Sequence, residues 1–205
     1  MSVIKIGFKR LTPDAVVPTK AHASDSGFDL VASADVIIEP GATVVVPTGI
    51  AVSLPEGYEA QVRPRSGVTS KTKLRVQLGT IDNGYSGEIG VIVDNIFPPV
   101  DDDSEPLYSE VLTLEGDFIQ RYSLFAQGTY IIRKGDKLAQ LVIQRLPDVV
   151  AYEIDTLGDS ERGAQGFGSS GVSTYEDEYG NTQCRTCGGK VEGGYCNCTL
   201  KEVAE

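Results

Sequence analysis

No cysteine precedes Cys184, and all four in the chain lie between it and Cys198. Clustering of this kind excludes a disulfide framework spread through a secreted fold and favours metal ligation. Histidine occurs once, at His22. No apolar run approaches the ~20 residues of a membrane-spanning helix. Basic residues are outnumbered, 18 Lys and Arg against 29 Asp and Glu, for a net charge of −11. A nucleic-acid groove, which needs a basic excess, is therefore not expected. A nucleotide site is still open to the chain, because that takes only a few placed arginines and a cation. Residues Met1 to Arg10 alternate apolar and polar and lack a signal-peptide core, so they read as a first strand and point to the cytoplasm.

What is present is a chain of 205 residues with 40% hydrophobic content, enough for one sizeable soluble domain and an appendage. Most of residues 1–150 divide into short β-branched runs separated by Pro and Gly. Ala34 to Glu39 ends at Pro40-Gly41, Thr43 to Val46 ends before Pro47, and Ala51 to Leu54 ends at Pro55-Glu56-Gly57. Such punctuation indicates an all-β sandwich or barrel. A short helix fits only Ser66 to Lys73. The acidic runs Asp101-Asp102-Asp103-Ser104-Glu105 and Glu176-Asp177-Glu178 read as solvated loops.

Between Asn95 and Lys134, Val111 to Leu114 and Phe118 to Tyr122 flank Glu115-Gly116-Asp117, a hairpin signal. It reads as a β-hairpin inserted over about 98–130, carrying an acidic loop. A surface decoration is the plain expectation, since loop insertions cost little; a partner-binding surface is the alternative. After Asp155 the chain turns Gly-, Ser- and acid-rich, as a mobile arm would. The expected division is a β domain over 1–155, an arm over 156–175 and a cysteine module over 176–205.

Five segments carry the chemistry. Gly79 to Ile89 sets Asp82 and Tyr85 on a glycine-rich turn between apolar strands, where backbone can approach a ligand closely. Ala21 to Leu30 contains Asp29, and Arg63 to Gly67 offers a forked charge at Arg65, a hydroxyl at Ser66 and an unhindered amide at Gly67. Lys134 to Ile143 contains Gln140. Arg162 to Gly171 holds Phe167, Gly168, Ser169 and Ser170 within the arm.

In order and spacing, these segments resemble the five motifs of the trimeric dUTP pyrophosphatases (dUTPases), over residues 1–171 apart from the insertion. The resemblance implies a jelly-roll-like β fold and a homotrimer with three sites shared between subunits. It implies Mg²⁺-dependent hydrolysis of dUTP to dUMP and pyrophosphate, with Asp82 as the base that activates water for attack on the α-phosphorus. Asp29 would help organise hydrated Mg²⁺ through water. Arg65, Ser66, Gly67 and Gln140 would bind phosphate. Tyr85 would lie against the deoxyribose, and the main chain at Gly79, Thr80, Ile81 and Gly90 would meet the uracil edge. In the arm, Phe167 would stack on uracil, Arg162 would reach the γ-phosphate, and Gly168, Ser169 and Ser170 would wrap the phosphates. Two positions depart from the family pattern: Gln165 stands where glycine is common, and Ser170 where threonine is. Nothing in the motif asks for His22. The rival expectations are a dCTP deaminase-like enzyme and a nucleotide-sensing regulatory protein built on the same fold.

Cys184, Cys187, Cys196 and Cys198 offer four soft ligands, with Gly188-Gly189 and Gly193-Gly194 supplying turns. Four thiolates suit structural Zn²⁺. Disulfides or free thiols, and an iron–sulfur centre, are the alternatives. With the hairpin, this module is where a protein partner would be expected.

Overall fold

The computed structural model describes residues 3–99, 108–161, 163–164, 174–176 and 182–184. It divides into two units, Met1–Val149 and Val150–Glu205. The first is built of short strands: β1 (Gly7–Arg10), β2 (Gly27–Val31), β3 (Val36–Ile38), β4 (Thr43–Pro47), β5 (Ile50–Ser53) and β6 (Tyr58–Pro64). One short helix, α1 (Ser66–Lys71), precedes β7 (Leu74–Val76), β8 (Gly79–Ile81) and β9 (Gly90–Asn95). There follow β10 (Tyr108–Leu112), β11 (Phe118–Phe125), β12 (Tyr130–Ile132) and β13 (Lys137–Arg145). In the second unit β14 (Thr174–Glu176) pairs antiparallel with β15 (Thr182–Cys184).

Two four-stranded sheets, ordered β2-β13-β6-β8 and β11-β10-β12-β3, are joined by the three-stranded β4-β9-β7 and the pair β1-β5. Their inward residues form one core. Leu30, Ala60, Val62 and Leu141 from the first sheet belong to the same cluster as Ile38, Ile132, Val46, Val91 and Val93 from the others. Alternation does the sorting. Along β9, Val91 and Val93 are buried and Ile92 between them is exposed. This is the jelly-roll-like all-β fold expected from the sequence, with α1 where a short helix was expected.

Asn95 continues the inward set of β9, and its amide is buried among apolar neighbours. Burial of a polar group is tolerated when every bond is satisfied. Here Nδ2 donates to the Ile38 carbonyl at 3.0 Å and the Gly128 carbonyl at 2.9 Å, while Oδ1 accepts from Phe97 N–H at 3.0 Å. One side chain thus ties together β3, the turn before β12 and the chain leaving β9.

The β10–β11 hairpin departs from the expectation of a surface decoration. β10 pairs antiparallel with β11 and, at Leu112, parallel with β12, so the hairpin extends a main sheet. Its turn also begins earlier than expected. Thr113 N–H donates to the Asp117 carbonyl at 2.8 Å and Gly116 N–H to the Thr113 carbonyl at 3.1 Å. Leu114 therefore leaves the strand and drops into the core cluster, 7% exposed. Gly116 closes the turn at φ 86°, a left-handed value that glycine adopts without strain. Apolar burial at Leu114 decided the matter, because leaving it in water would forfeit ~2 kcal/mol.

Candidate active site

Asp82 follows β8 directly, and its carbonyl accepts Tyr85 N–H at 3.0 Å to close the turn. The turn is pinned from two sides. Asn83 Nδ2 donates to the Leu54 and Pro55 carbonyls at 2.8 and 2.7 Å. Glu88 Oε1 accepts Gly49 N–H at 2.7 Å, and Thr48 Oγ1 donates to the Ile89 carbonyl at 2.6 Å. The Tyr85 hydroxyl donates to the Glu88 carbonyl at 2.9 Å, laying the ring along the turn with nearly half its surface open. A side chain at Gly87 would collide with that ring.

Gly79, Thr80, Ile81, Asp82, Tyr85 and Gly90 line one depression of about 240 Å³, together with Val62, Glu88, Ile89 and Ile92. Among the described residues β8 is the edge of its sheet and pairs only with β6. Its outer N–H and C=O groups there have no sheet partner and can be matched by a planar polar ligand. Gly90 lies opposite Pro47, and a Cβ there would stand 2.5 Å from Val45 Cγ1, so a side chain would require Val45 to move. All five predicted uridine-side positions and the predicted base Asp82 are thus brought together.

The predicted phosphate-side residues gather elsewhere. Arg65 is the N-cap of α1, Ser66 its first residue and Gly67 its second. Arg65, Gly67, Val68 and Lys71 line a second depression of about 410 Å³ with Leu114, Glu115, Gly135, Asp136 and Lys137. A Cβ built at Gly67 would meet nothing within 4 Å, so the space beside it is open. The two depressions share no lining residue. A larger hollow of about 730 Å³, between Glu56–Tyr58 and Arg145–Asp148, contains none of the predicted positions.

Register explains how Asp29 and Gln140 meet. Asp29 pairs with Gln140, and Gln140 with Arg63, placing the three side by side across β2, β13 and β6. Gln140 Nε2 donates to the Pro64 carbonyl at 3.0 Å, and neither depression is lined by Gln140 or Ser66. Arg63 in turn donates through Nε and Nη2 to Gln61 Oε1 at 3.0 and 2.6 Å. Asp29 is held by two cations, Arg65 Nη1 at 3.0 Å from Oδ1 and Lys137 Nζ at 2.8 Å from Oδ2. Lys137 is a site neighbour that motif reasoning missed: three residues from Gln140, it would face the other side of a regular strand, and the register shifts between Lys137 and Ala139.

One carboxyl of the second depression departs from its ordinary range. Burial pushes Asp136 upward, and the Glu115 charge adds to the rise. A hydrogen bond from Arg133 N–H at 2.8 Å and the Arg133 charge oppose it.

Arg162, Gln165, Phe167, Gly168, Ser169 and Ser170 lie outside the described residues, as do Cys187, Cys196 and Cys198; Cys184 ends β15. Among the described residues no three or more His, Cys, Asp or Glu side chains are placed to hold a metal. No described helix is long and apolar enough to cross a membrane.

The dUTPase family model matches residues 14–97. A deoxyuridine 5'-triphosphate nucleotidohydrolase of Rhodococcus erythropolis is 39% identical over 170 residues, 82% of this chain and 87% of that protein. One from Gloeothece citriformis is 36% identical over 83% of this chain and 99% of its own length. Among solved structures, the dUTPase of Staphylococcus bacteriophage 80alpha with dUpNHpp superposes with a TM-score of 0.75 at 36% identity, covering 82% of this chain and 99% of that one. A mutant dUTPase from phage phi11 of S. aureus, which coordinates a structural Mg(II) ion, gives 0.71 at 32%, covering 76% and 99%. Fold, motif order and full-length relatives converge, and the chain belongs to the dUTPase family as a dUTP diphosphatase.

Proposed function

We propose that the chain hydrolyses dUTP by water attack on the α-phosphorus, with Asp82 as general base. A proton passes from water to the Asp82 carboxylate, the new P–O bond forms, and the bond to the β-phosphate oxygen breaks. The products are dUMP and pyrophosphate. The observation that carries this is the 240 Å³ depression, which joins Asp82, Tyr85 and an open sheet edge in one place. Polar matching at such an edge discriminates strongly, by ~10⁴ or more against a missing partner. Tyr85, braced on Glu88, would close the space that a 2′-hydroxyl needs.

Phosphates would bind at Arg65, Ser66 and Gly67, with Gln140 bracing the end of β6. The residues fit a hydrated cation carried in on the triphosphate. Both Asp29 oxygens are already taken up by Arg65 and Lys137, so Asp29 would meet the metal only through its water shell. When bound, Mg²⁺ would neutralise charge on the phosphate chain. Arg65 and Lys137 orient that chain from the protein side.

The uridine-side and phosphate-side depressions share no lining residue, which fits sites assembled between subunits of a homotrimer. Apolar side chains at Val149, Val150, Tyr152 and Leu157, all more than 80% exposed, also fit burial against another copy. The arm from Arg162 to Ser170 would then cover the nucleotide and exclude water. The four cysteines would hold a structural zinc, and metal analysis of purified protein tests it.

Pyrophosphate release from dUTP with Mg²⁺, run beside UTP, dTTP and dCTP for wild type and Asp82→Asn, tests the reaction. Turnover of dUTP alone, reduced by ~10² or more in the variant, supports it. Ammonia release from dCTP would replace it with the deaminase reading. A second, regulatory role is favoured by one observation: the hairpin forms a wall of the phosphate-side depression. Partner capture by full-length protein, compared with a form lacking residues 176–205, tests that role.

A further inference from the structure

Leu114 and Glu115 enter the phosphate-side depression from the β10–β11 turn, which it shares with Arg65, Lys71 and Lys137. Three cations there suit an anion, although Arg65 and Lys137 are shared with Asp29 and Asp136 adds an acid to the lining. A glutamate on the same wall works against an anion, and the backbone that carries it is held in place. Leu114 is anchored in the core on one side of it. On the other, Gly116 takes a left-handed φ of 86°, and a Cβ there would stand 3.4 Å from the Lys71 carbonyl. Thr113 and Asp117 close the turn through the main chain.

The carboxylate also stands outside the ion pairs of the described residues. Among the described residues no Lys or Arg nitrogen pairs with Glu115, whereas Asp29 in the same neighbourhood holds two. Its charge nonetheless reaches the floor of the depression, where it contributes, after burial, to the upward shift of Asp136. Glu115 is exposed, and the held turn fixes its backbone at the rim of the depression, so the carboxylate stays within reach of a bound anion.

We propose that Glu115 is a product-release residue: a negative charge on the wall of the phosphate site that limits retention of pyrophosphate. The inference rests on the reading of Arg65 to Gly67 as phosphate-binding and adds a specificity-setting group to it. Pyrophosphate carries several charges in a small volume and, once cut from dUMP, is held only by cations and amides. Arg65, Lys71 and Lys137 alone would hold it tightly. A like charge beside them weakens that hold in proportion to ligand charge, so pyrophosphate loses more than dUMP.

The test is product inhibition by inorganic pyrophosphate and by dUMP for wild type, Glu115→Gln, Asp117→Asn and Arg65→Ala, with thermal unfolding of each. Asp117 supplies the control, since it removes one charge from the same turn without lining the depression. In Glu115→Gln the pyrophosphate inhibition constant should fall roughly fivefold at low salt, less at high salt, with a smaller change for dUMP. An unchanged constant in Glu115→Gln, or an equal fall in Asp117→Asn, overturns the proposal. If Arg65→Ala leaves pyrophosphate inhibition untouched, the phosphate-site reading itself fails. If Arg65→Ala weakens inhibition while Glu115→Gln matches wild type, only the role of Glu115 falls.

Discussion

Arg65 Nη1 stands 3.0 Å from Asp29 Oδ1, so the guanidinium we propose for phosphate is steadied by the acid proposed for the hydrated metal. On that reading the two roles would be coupled through one ion pair. Asp29→Asn should leave Arg65 and Lys137 facing each other without the charge between them. The half-saturating Mg²⁺ concentration and the KM for dUTP should both rise, by roughly tenfold, with about 1–2 kcal/mol lost in stability. Mg²⁺ titrations of initial rate check this; an unaltered Mg²⁺ dependence would remove Asp29 from the metal's surroundings.

Among the described residues the Tyr85 hydroxyl bonds only to the Glu88 carbonyl, at 2.9 Å. Removing it in Tyr85→Phe should cost ~1 kcal/mol of ring placement. The dUTP over UTP ratio of kcat/KM should fall about fivefold as the ring gains freedom. A ratio equal to wild type would mean that packing, and not the hydroxyl, sets the ring.

Leu114→Ala reports on the hairpin as part of the core. A buried leucine truncated to alanine costs about 2–4 kcal/mol, whereas a change in a surface decoration would cost about a few tenths. Urea unfolding distinguishes the two. Gly116→Val should also destabilise, by ~1–3 kcal/mol, because a β-branched residue resists the left-handed region.

Stability should depend on pH through Asp136. Its folded pKa lies above the ordinary 3.8, so the fold favours the protonated carboxyl. The stability this contributes is complete below 3.8 and is lost as pH rises through the raised value. Relative to Asp136→Asn, which cannot ionise there, wild type should therefore lose stability across that window. Denaturation series from about pH 3.5 to 6.5 on both proteins check the sign, and a relative gain for wild type would contradict it.

Much of this was legible in the primary structure, for a physical reason. Strand ends such as Pro40-Gly41 and Pro55-Glu56-Gly57 are local backbone constraints, and they marked β3 and β5 well. The uridine-side residues are close in sequence, from Gly79 to Gly90, so one turn could bring them together. Partners chosen by tertiary packing were not legible. Nothing near Asn83 announces the Leu54 and Pro55 carbonyls, and nothing near Asn95 announces Ile38 and Gly128. Leu114 was misplaced for a related reason. In Val111-Leu112-Thr113-Leu114 the local pattern continues a strand, and only the neighbouring core pulls the fourth residue out of it.

An open sheet edge usually invites another chain to add a strand, which is how soluble β proteins come to aggregate. β8 is three residues long, about 10 Å at the usual rise per residue. That length is too short to seed a stable ladder with a stranger, yet it spans a single nucleobase. On the proposed reading, the brevity of the strand would serve as a size filter, admitting one flat heterocycle and denying the edge to a polypeptide.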